Sequence, residues 1–304
     1  VNFLSGQEEL IEGDTIYNSA KCSLELALLD AYGKHFGKSV SAIADVLKIK
    51  KVPFDEKVPQ RFSYVFSMDE KINRLKTNAL FFYGFKNFKF KINEENDFSQ
   101  IDRFIEIMKS KINSLDISMM VDANGSLYER DLDKLINELD NRRIYFLEQP
   151  LRKGKEKSLK KFKEQYVIVL DESLCSLNDA QRAVDEKYGD MFNIRISKNG
   201  GIINSLKIRE IARNNRISYQ LGCMVGETGI LSAAGRHFAQ MSPETMFYEG
   251  SYGTHLLVED ITREKMTFGI GAEVNPKRHP LGNFGLGINV DEERLSKYSK
   301  KIEF

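Results

Sequence analysis

Apolar positions along the 304-residue chain switch between two periods. In "NSAKCSLELALLDAYGKHFGK", Ala20, Leu24, Ala27, Leu28 and Ala31 recur every three or four residues, which predicts a helix with Gly33 and Gly37 as stops. From "VPQRFSYVF" onward, short apolar runs alternate with amphipathic stretches. "FKNFKFKI" is strand-like, and "DFSQIDRFIEIMKSKI" follows it with Phe98, Ile101, Ile105, Met108 and Ile112 on one helical face. The alternation continues through "ISMMVDAN", "ERDLDKLINELD", "RIYFLEQP", "EKSLKKFKEQ", "VIVLDES", "LNDAQRAVDEKYG", "FNIRISKNGG", "INSLKIREIARNN", "ISYQLGCM" and "GILSAAGRHFAQ". Strand and helix in turn predict a parallel sheet, open or closed into a barrel.

Composition narrows the function classes. An apolar fraction of 41% with 29% charged residues is that of a globular protein, and 45 basic against 44 acidic residues give no global field for nucleic acid or an anionic membrane. No apolar run has the length of a membrane span, and no secretory signal is visible. Cys22, Cys175 and Cys223 lack metal-site spacing, which with the missing signal leads to the expectation of a cytoplasmic protein. No "GxGxxG" or "GxxxxGK[ST]" opens a helix, which weakens the nucleotide-binding open sheet.

The strand ends carry the chemistry. In strand order they present Lys89 and Lys91, then Asp122, Glu148, Asp171 and Lys198, each step being about one strand-plus-helix unit. That spacing puts them on one rim, which in a closed barrel is the C-terminal face. Three carboxylates there repel one another unless a cation joins them, and an all-oxygen set suits Mg²⁺ first and Mn²⁺ next. Lys91 and Lys198 flank the triad, so each could approach a metal-bound ligand from its own side. Repulsion between Lys89 and Lys91 and a nearby divalent ion both disfavour the ammonium form, as a base requires. Each element also has a plainer explanation: "VDAN" as an Asx turn, "FLEQP" as a strand end closed by Pro150, "KFK" as a solvated edge, and Ser176 and Asp179 as a helix cap.

"KFK" at 89–91, "VDAN" at 121–124, "FLEQP" at 146–150, "DES" at 171–173 and "SKNGG" at 197–201 together resemble the signature of the enolase superfamily, muconate lactonizing subgroup. The resemblance implies a (β/α)₇β TIM-like barrel with an α+β capping domain, divided as 1–56 (the remainder of the N-terminal cap, whose sheet is incomplete), 57–285 (barrel) and 286–304 (a segment returning to the cap). It implies Mg²⁺ on Asp122, Glu148 and Asp171, acid/base chemistry by Lys91 and Lys198, Lys89 neutralising a substrate carboxylate, and Asn124 and Glu172 as polar support. At the eighth strand end Glu249 and Ser251 stand where the subgroup's dipeptide epimerases carry two aspartates, which makes them the candidate substrate contacts.

The expected chemistry is removal of the proton α to a carboxylate through an enediolate, which a divalent ion stabilises. With a lysine on each face, racemisation or epimerisation of an N-acylated or peptide-linked amino acid is the favoured outcome. A cycloisomerase or a dehydrating o-succinylbenzoate synthase is the alternative. Further off stand a Schiff-base aldolase using Lys91 or Lys198 and a non-catalytic binding protein. The expected partners are a small carboxylate substrate and further copies of the chain, with no nucleic acid and no membrane.

Overall fold

The computed structural model describes residues 17–49, 60–67, 70–93, 98–112, 117–251, 253–274 and 281–300. Seven parallel strands run in chain order: β1 Ser63–Phe66, β2 Asn87–Lys91, β3 Ser118–Asp122, β4 Phe146–Glu148, β5 Val167–Leu170, β6 Met191–Ile194 and β7 Ser218–Leu221. The longer helices are α1 Asn18–Phe36, α2 Arg74–Tyr83, α3 Ser99–Ile112, α4 Leu132–Arg142, α5 Leu177–Glu186, α6 Ile202–Asn214 and α7 Gly229–Met241. A parallel pair needs a crossover, and a helix follows every strand except β4. There "EKSLKKF" forms 3₁₀ turns over Glu156–Phe162 where an α-helix was expected. Leu159 and Phe162, three apart and both buried, share a face of a three-residue turn, so the tighter helix buries both.

After β7 the chain returns at 246–249. Leu221 N–H donates to Phe247 O (3.0 Å), Glu249 N–H to Leu221 O (2.8 Å) and Ser63 N–H to Tyr248 O (2.8 Å), so this segment joins the two outer strands of the sheet.

Alternation along the strands sorts the interior. Phe88 and Phe90 of β2 pack against Phe104 of α3, with ring centroids 4.8 and 5.2 Å apart. Side chains two apart share a face, so Lys89 and Lys91 project to the other, concave side. The same parity sends Met120 and Asp122, Phe146 and Glu148, Val169 and Asp171, and Met191, Asn193 and Arg195 to the concave side. Deep in it Met120, Val169, Met191 and Phe247 form a small apolar cluster apart from the main core, with Phe146 and Val167 against it. The polar residues stand above this floor.

The helix α1 packs with a face other than the expected one. Cys22, Glu25, Leu26 and Gly33 are buried, while Leu24 and Leu28 are exposed, and Ala20, Ala27 and Ala31 with them. The polar anchors decide: Asn18 Nδ2 donates to Lys198 O (2.6 Å) and Cys175 O (2.9 Å), and Glu25 Oε1 accepts from Ile202 N–H (2.6 Å) at the start of α6. Gly33 continues the helix and admits the 281–288 segment, since a Cβ there would stand 2.6 Å from Gly285 Cα; Gly37 is the stop, in the left-handed conformation at φ 62°. Val40 N–H then donates to Gly285 O and Gly285 N–H to Lys38 O, so the early helices and the late segment meet. The expected boundary near residue 56 lies outside the described residues.

Candidate active site

Register lines up the strand ends. Lys91 pairs with Asp122 and Asp122 with Glu148, while Asp171 stands one residue past the end of β5. Asp122, Glu148 and Asp171 are all buried. Burial, then the charge of Glu148, pushes the Asp122 carboxyl up to about 7 despite Lys89. Glu148 takes the opposite course: burial opposes its charge, but Lys89 overcomes this and holds it below the ordinary range. Lys89 Nζ lies 2.6 Å from Glu148 Oε2 and also pairs with Glu249. Burial opposes the ammonium too, yet Glu148, Glu249 and Asp122 outweigh it and raise the Lys89 pKa.

Polar residues that the motif reading passed over hold these groups in place. Asn193 Nδ2 and Gln220 Nε2 donate to the two oxygens of Glu148 (2.7 and 3.0 Å). Gln149 Oε1 accepts from Asp171 N–H (2.9 Å) and Ser173 N–H (3.1 Å), tying the end of β4 to that of β5. Their signal was strand parity: each is a polar residue on a stretch otherwise apolar. Asn124, at φ 46°, donates from its backbone N–H to Asp122 Oδ1 (2.9 Å) and from Nδ2 to Asp122 Oδ2 and Glu172 Oε1 (both 3.2 Å), and accepts from Lys91 Nζ (3.0 Å). The plainer view of "DESLCSLND" also holds, since Ser176 Oγ accepts from Asp179 N–H (3.0 Å) and caps α5.

The structure corrects the placement of Lys198. β6 ends at Ile194, and Lys198 lies in the turn that follows. Its Nζ is buried there, donating to Asp171 Oδ1 (2.7 Å), Asp171 O (2.7 Å) and Asn193 O (2.9 Å). Burial, then the charge of Arg195, pushes its pKa down to about 7. Three acceptors around one nitrogen, one of them a carboxylate, are met in full only by an ammonium, so the charged form fits this turn.

The cation that the strand does present is Arg195, which shares the parity of Met191 and Asn193 and pairs with Asp171. Its main chain is clamped by Asn199: Arg195 N–H donates to Asn199 Oδ1 and Asn199 N–H to Arg195 O, both 2.9 Å. Gly222 makes room first for Asn193 and then for Arg195, for a Cβ there would overlap Asn193 Oδ1 and stand 3.0 Å from Arg195 Cγ. The sequence held a signal for this residue as well. Asp171 and Arg195 are 24 apart, in line with the 23 between Glu148 and Asp171.

Above these groups opens a cavity of about 680 Å³. Lys89, Lys91, Asp122, Arg195, Glu249 and Ser251 line its charged end, whereas Lys198 does not reach it. Tyr64, Leu80, Tyr83, Phe85, Leu256 and Phe268 line much of the rest, beside the Glu70–Lys76 ion pair. Glu227, from the loop after β7, also faces the cavity; burial pushes its carboxyl up to about 7, and it accepts from Met224 N–H (2.7 Å). His237 is a packed residue bound to Ser41 Oγ (2.7 Å) and Leu286 O (3.1 Å). The side chain of His255 lies outside the described residues.

Asp122, Glu148 and Asp171 fit a hard divalent cation in donor chemistry. They offer oxygen only, come from three consecutive strand ends, and already draw cations, Lys89 to Glu148 and Lys198 and Arg195 to Asp171. Among the described residues, no three candidate ligands are close enough together as they stand to hold an ion. No described helix is long and apolar enough to cross a membrane.

Comparison with known proteins places this geometry. The chain is 28% identical over 287 residues to an o-succinylbenzoate synthase of Bacillus subtilis (strain 168), covering 93% of this chain and 71% of that protein. It is 28% identical over 231 residues to an L-Ala-D/L-Glu epimerase of Clostridium acetobutylicum, covering 74% of this chain and 61% of the epimerase. In fold it is similar to a muconate lactonizing enzyme from Pseudomonas putida, with TM-score 0.80 and 24% identity over 98% of this chain and 78% of that one. Residues 74–294 match the enolase C-terminal domain-like family. Seven parallel strands with their carboxylates and lysines at one end thus belong to a member of that family, and the chain is an enzyme of the enolase superfamily, whose members are isomerases or lyases.

Proposed function

We propose that the protein is a divalent-metal-dependent enzyme that removes the proton α to a substrate carboxylate, on a (β/α)₇β barrel closed by the 246–249 segment. The observation that carries this reading is the joint opening of Lys91, Lys89, Asp122 and Arg195 into one cavity. Asp122, Glu148 and Asp171 would hold Mg²⁺ or Mn²⁺, which supplies charge stabilisation to the carboxylate as it becomes an enediolate.

The chain's own residues do the rest. Lys91, half-buried and hydrogen-bonded to Asn124, is placed to take the proton. Asn124 orients both Lys91 and Asp122, while Lys89 offsets negative charge beneath the carboxylate. The aromatic and aliphatic wall excludes water and favours a carboxylic acid with an apolar body. Glu249, already paired with Lys89, would act on the substrate through that lysine, and Ser251 would line its side of the cavity. A Schiff base at Lys198 meets an obstacle, because that amine is enclosed in its turn.

Hydrogen-to-deuterium exchange at Cα, followed by ¹H NMR in D₂O over pooled dipeptides, N-acetylamino acids and hydroxy acids, tests this. Exchange that needs Mg²⁺ and disappears in Lys91→Ala and Asp122→Asn is the expected result. Exchange that persists in the presence of a chelator would sink the metal-dependent mechanism.

A further inference from the structure

Removal of the proton leaves an enediolate that can be reprotonated on the far face, lose a β-substituent or close a ring. The group facing Lys91 decides among these fates. β2 and β6 are separated by β3, β4 and β5 on one side and by β7, the 246–249 segment and β1 on the other. Lys91 and Arg195 therefore stand across the cavity from each other, and both line it.

We infer that Arg195 occupies the face opposite Lys91 as a permanent cation, so that the enzyme moves protons on one face only and does not invert its substrate's α-carbon. This rests on the proposed function. A guanidinium stays protonated throughout the working range and cannot take up or return a proton, whereas a lysine can. The lysine of this wall, Lys198, directs its donors to Asp171 Oδ1, Asp171 O and Asn193 O, between the ends of β5 and β6. Arg195 is fixed where it stands by Asn199 on both sides of its peptide, and its buried Nε carries no hydrogen bond among the described residues. The residue nevertheless lines the cavity, so its positive charge acts on the enediolate across that wall. The other titratable groups on this side of the cavity are engaged or held protonated: Glu227, in the loop after β7, accepts from Met224 N–H, Glu249 pairs with Lys89, and burial pushes the Cys223 thiol well up.

One-sided chemistry balances without a co-reactant. The neutral Lys91 amine takes the Cα proton, and the C–H pair becomes the enediolate. That pair then forms the Cα–Cβ double bond as the bond from Cβ to a hydroxyl breaks. Lys91 passes its proton to the departing hydroxide, giving water and the free amine again.

Two measurements on the intact chain test the inference. In D₂O with Mg²⁺, acids from the same pools that exchange are expected to retain configuration, deuterium uptake exceeding inversion by at least about 100-fold. Arg195→Lys is expected to narrow that ratio by about tenfold or more, as an amine reaches the second face. Independently of turnover, brief treatment with acetic anhydride at pH 8, read by peptide mass spectrometry, is expected to modify Lys198 at least about tenfold more slowly than Lys91, with parity after unfolding. Inversion in the wild type within about tenfold of exchange overturns the inference while leaving α-proton abstraction intact. Equal acetylation of the two lysines in the folded protein overturns it through the geometry. Absence of exchange from every pool removes the proposed function, and the inference with it.

Discussion

The tip of β2 and the turn after β6 each carry a lysine, and the two are chemically unlike. Among the described residues Lys91 has one hydrogen bond, to Asn124 at 3.0 Å, and it looks into the cavity. Lys198 has three, none longer than 2.9 Å, and binds the end of β5 to that of β6 from inside. A strand that continues to its last charged residue offers that residue to a ligand. A strand that stops four residues earlier turns the same residue into a rivet. Where the backbone ends decides the role, more than the residue type or its approximate spacing.

The largest effect that could break this contrast is on chemistry. Lys91→Ala is expected to lower α-proton exchange by about 10²–10⁴-fold while changing stability by about 0.5 kcal/mol or less, checked by NMR and urea unfolding of the same preparation. Lys198→Ala is expected to act chiefly on stability, at about 3 kcal/mol in urea unfolding, since it leaves Asp171 buried with Arg195 as its remaining cation. A Lys198→Ala protein as stable as the wild type would refute the rivet.

Metal binding comes next. Mg²⁺ at about 100 times its dissociation constant is expected to stabilise the wild type by about 2.7 kcal/mol, and Asp122→Asn to remove most of that shift in thermal melting. The smallest effect sharpens the β6 side. Burial pushes the Glu25 carboxyl up to about 7, against the bonds from Ile203 and Ile202 and the charge of Lys207. A raised carboxyl binds more protons in the folded state than in the unfolded one, so its contribution is present at low pH and is lost as pH rises from about 4.5 through 7. The wild type is therefore expected to lose about 2 kcal/mol relative to Glu25→Gln between pH 5 and 8, read from paired melting curves.

Much of this was legible in the chain. The shift from the 3.6-residue period to alternating strands and helices marks the parallel sheet, and the run of Asp122, Glu148 and Asp171 at strand ends is visible because charge interrupts apolar runs there. What stayed hidden depends on partners far away in sequence. The buried face of α1 is chosen by contacts from Asn18 and Glu25 to the turn near 200 and from Gly33 to Gly285, which no local period encodes. "FNIRISKNGG" reads as one continuous strand because Ile194 and Ile196 keep the alternation going, while Asn199, by binding back to Arg195, ends it. Gln149, Asn193 and Gln220 look like ordinary polar residues until their partners are known.

The apolar floor of Met120, Val169, Met191 and Phe247 has a consequence for traffic. With the lower end stoppered by side chains, substrate, product, water and exchanged protons find no path through that floor and must pass on the side where the cavity lies. Entry and exit then share one side of the vessel: a product that lingers there stands in the way of the next substrate and of the solvent that would wash out a lifted hydrogen.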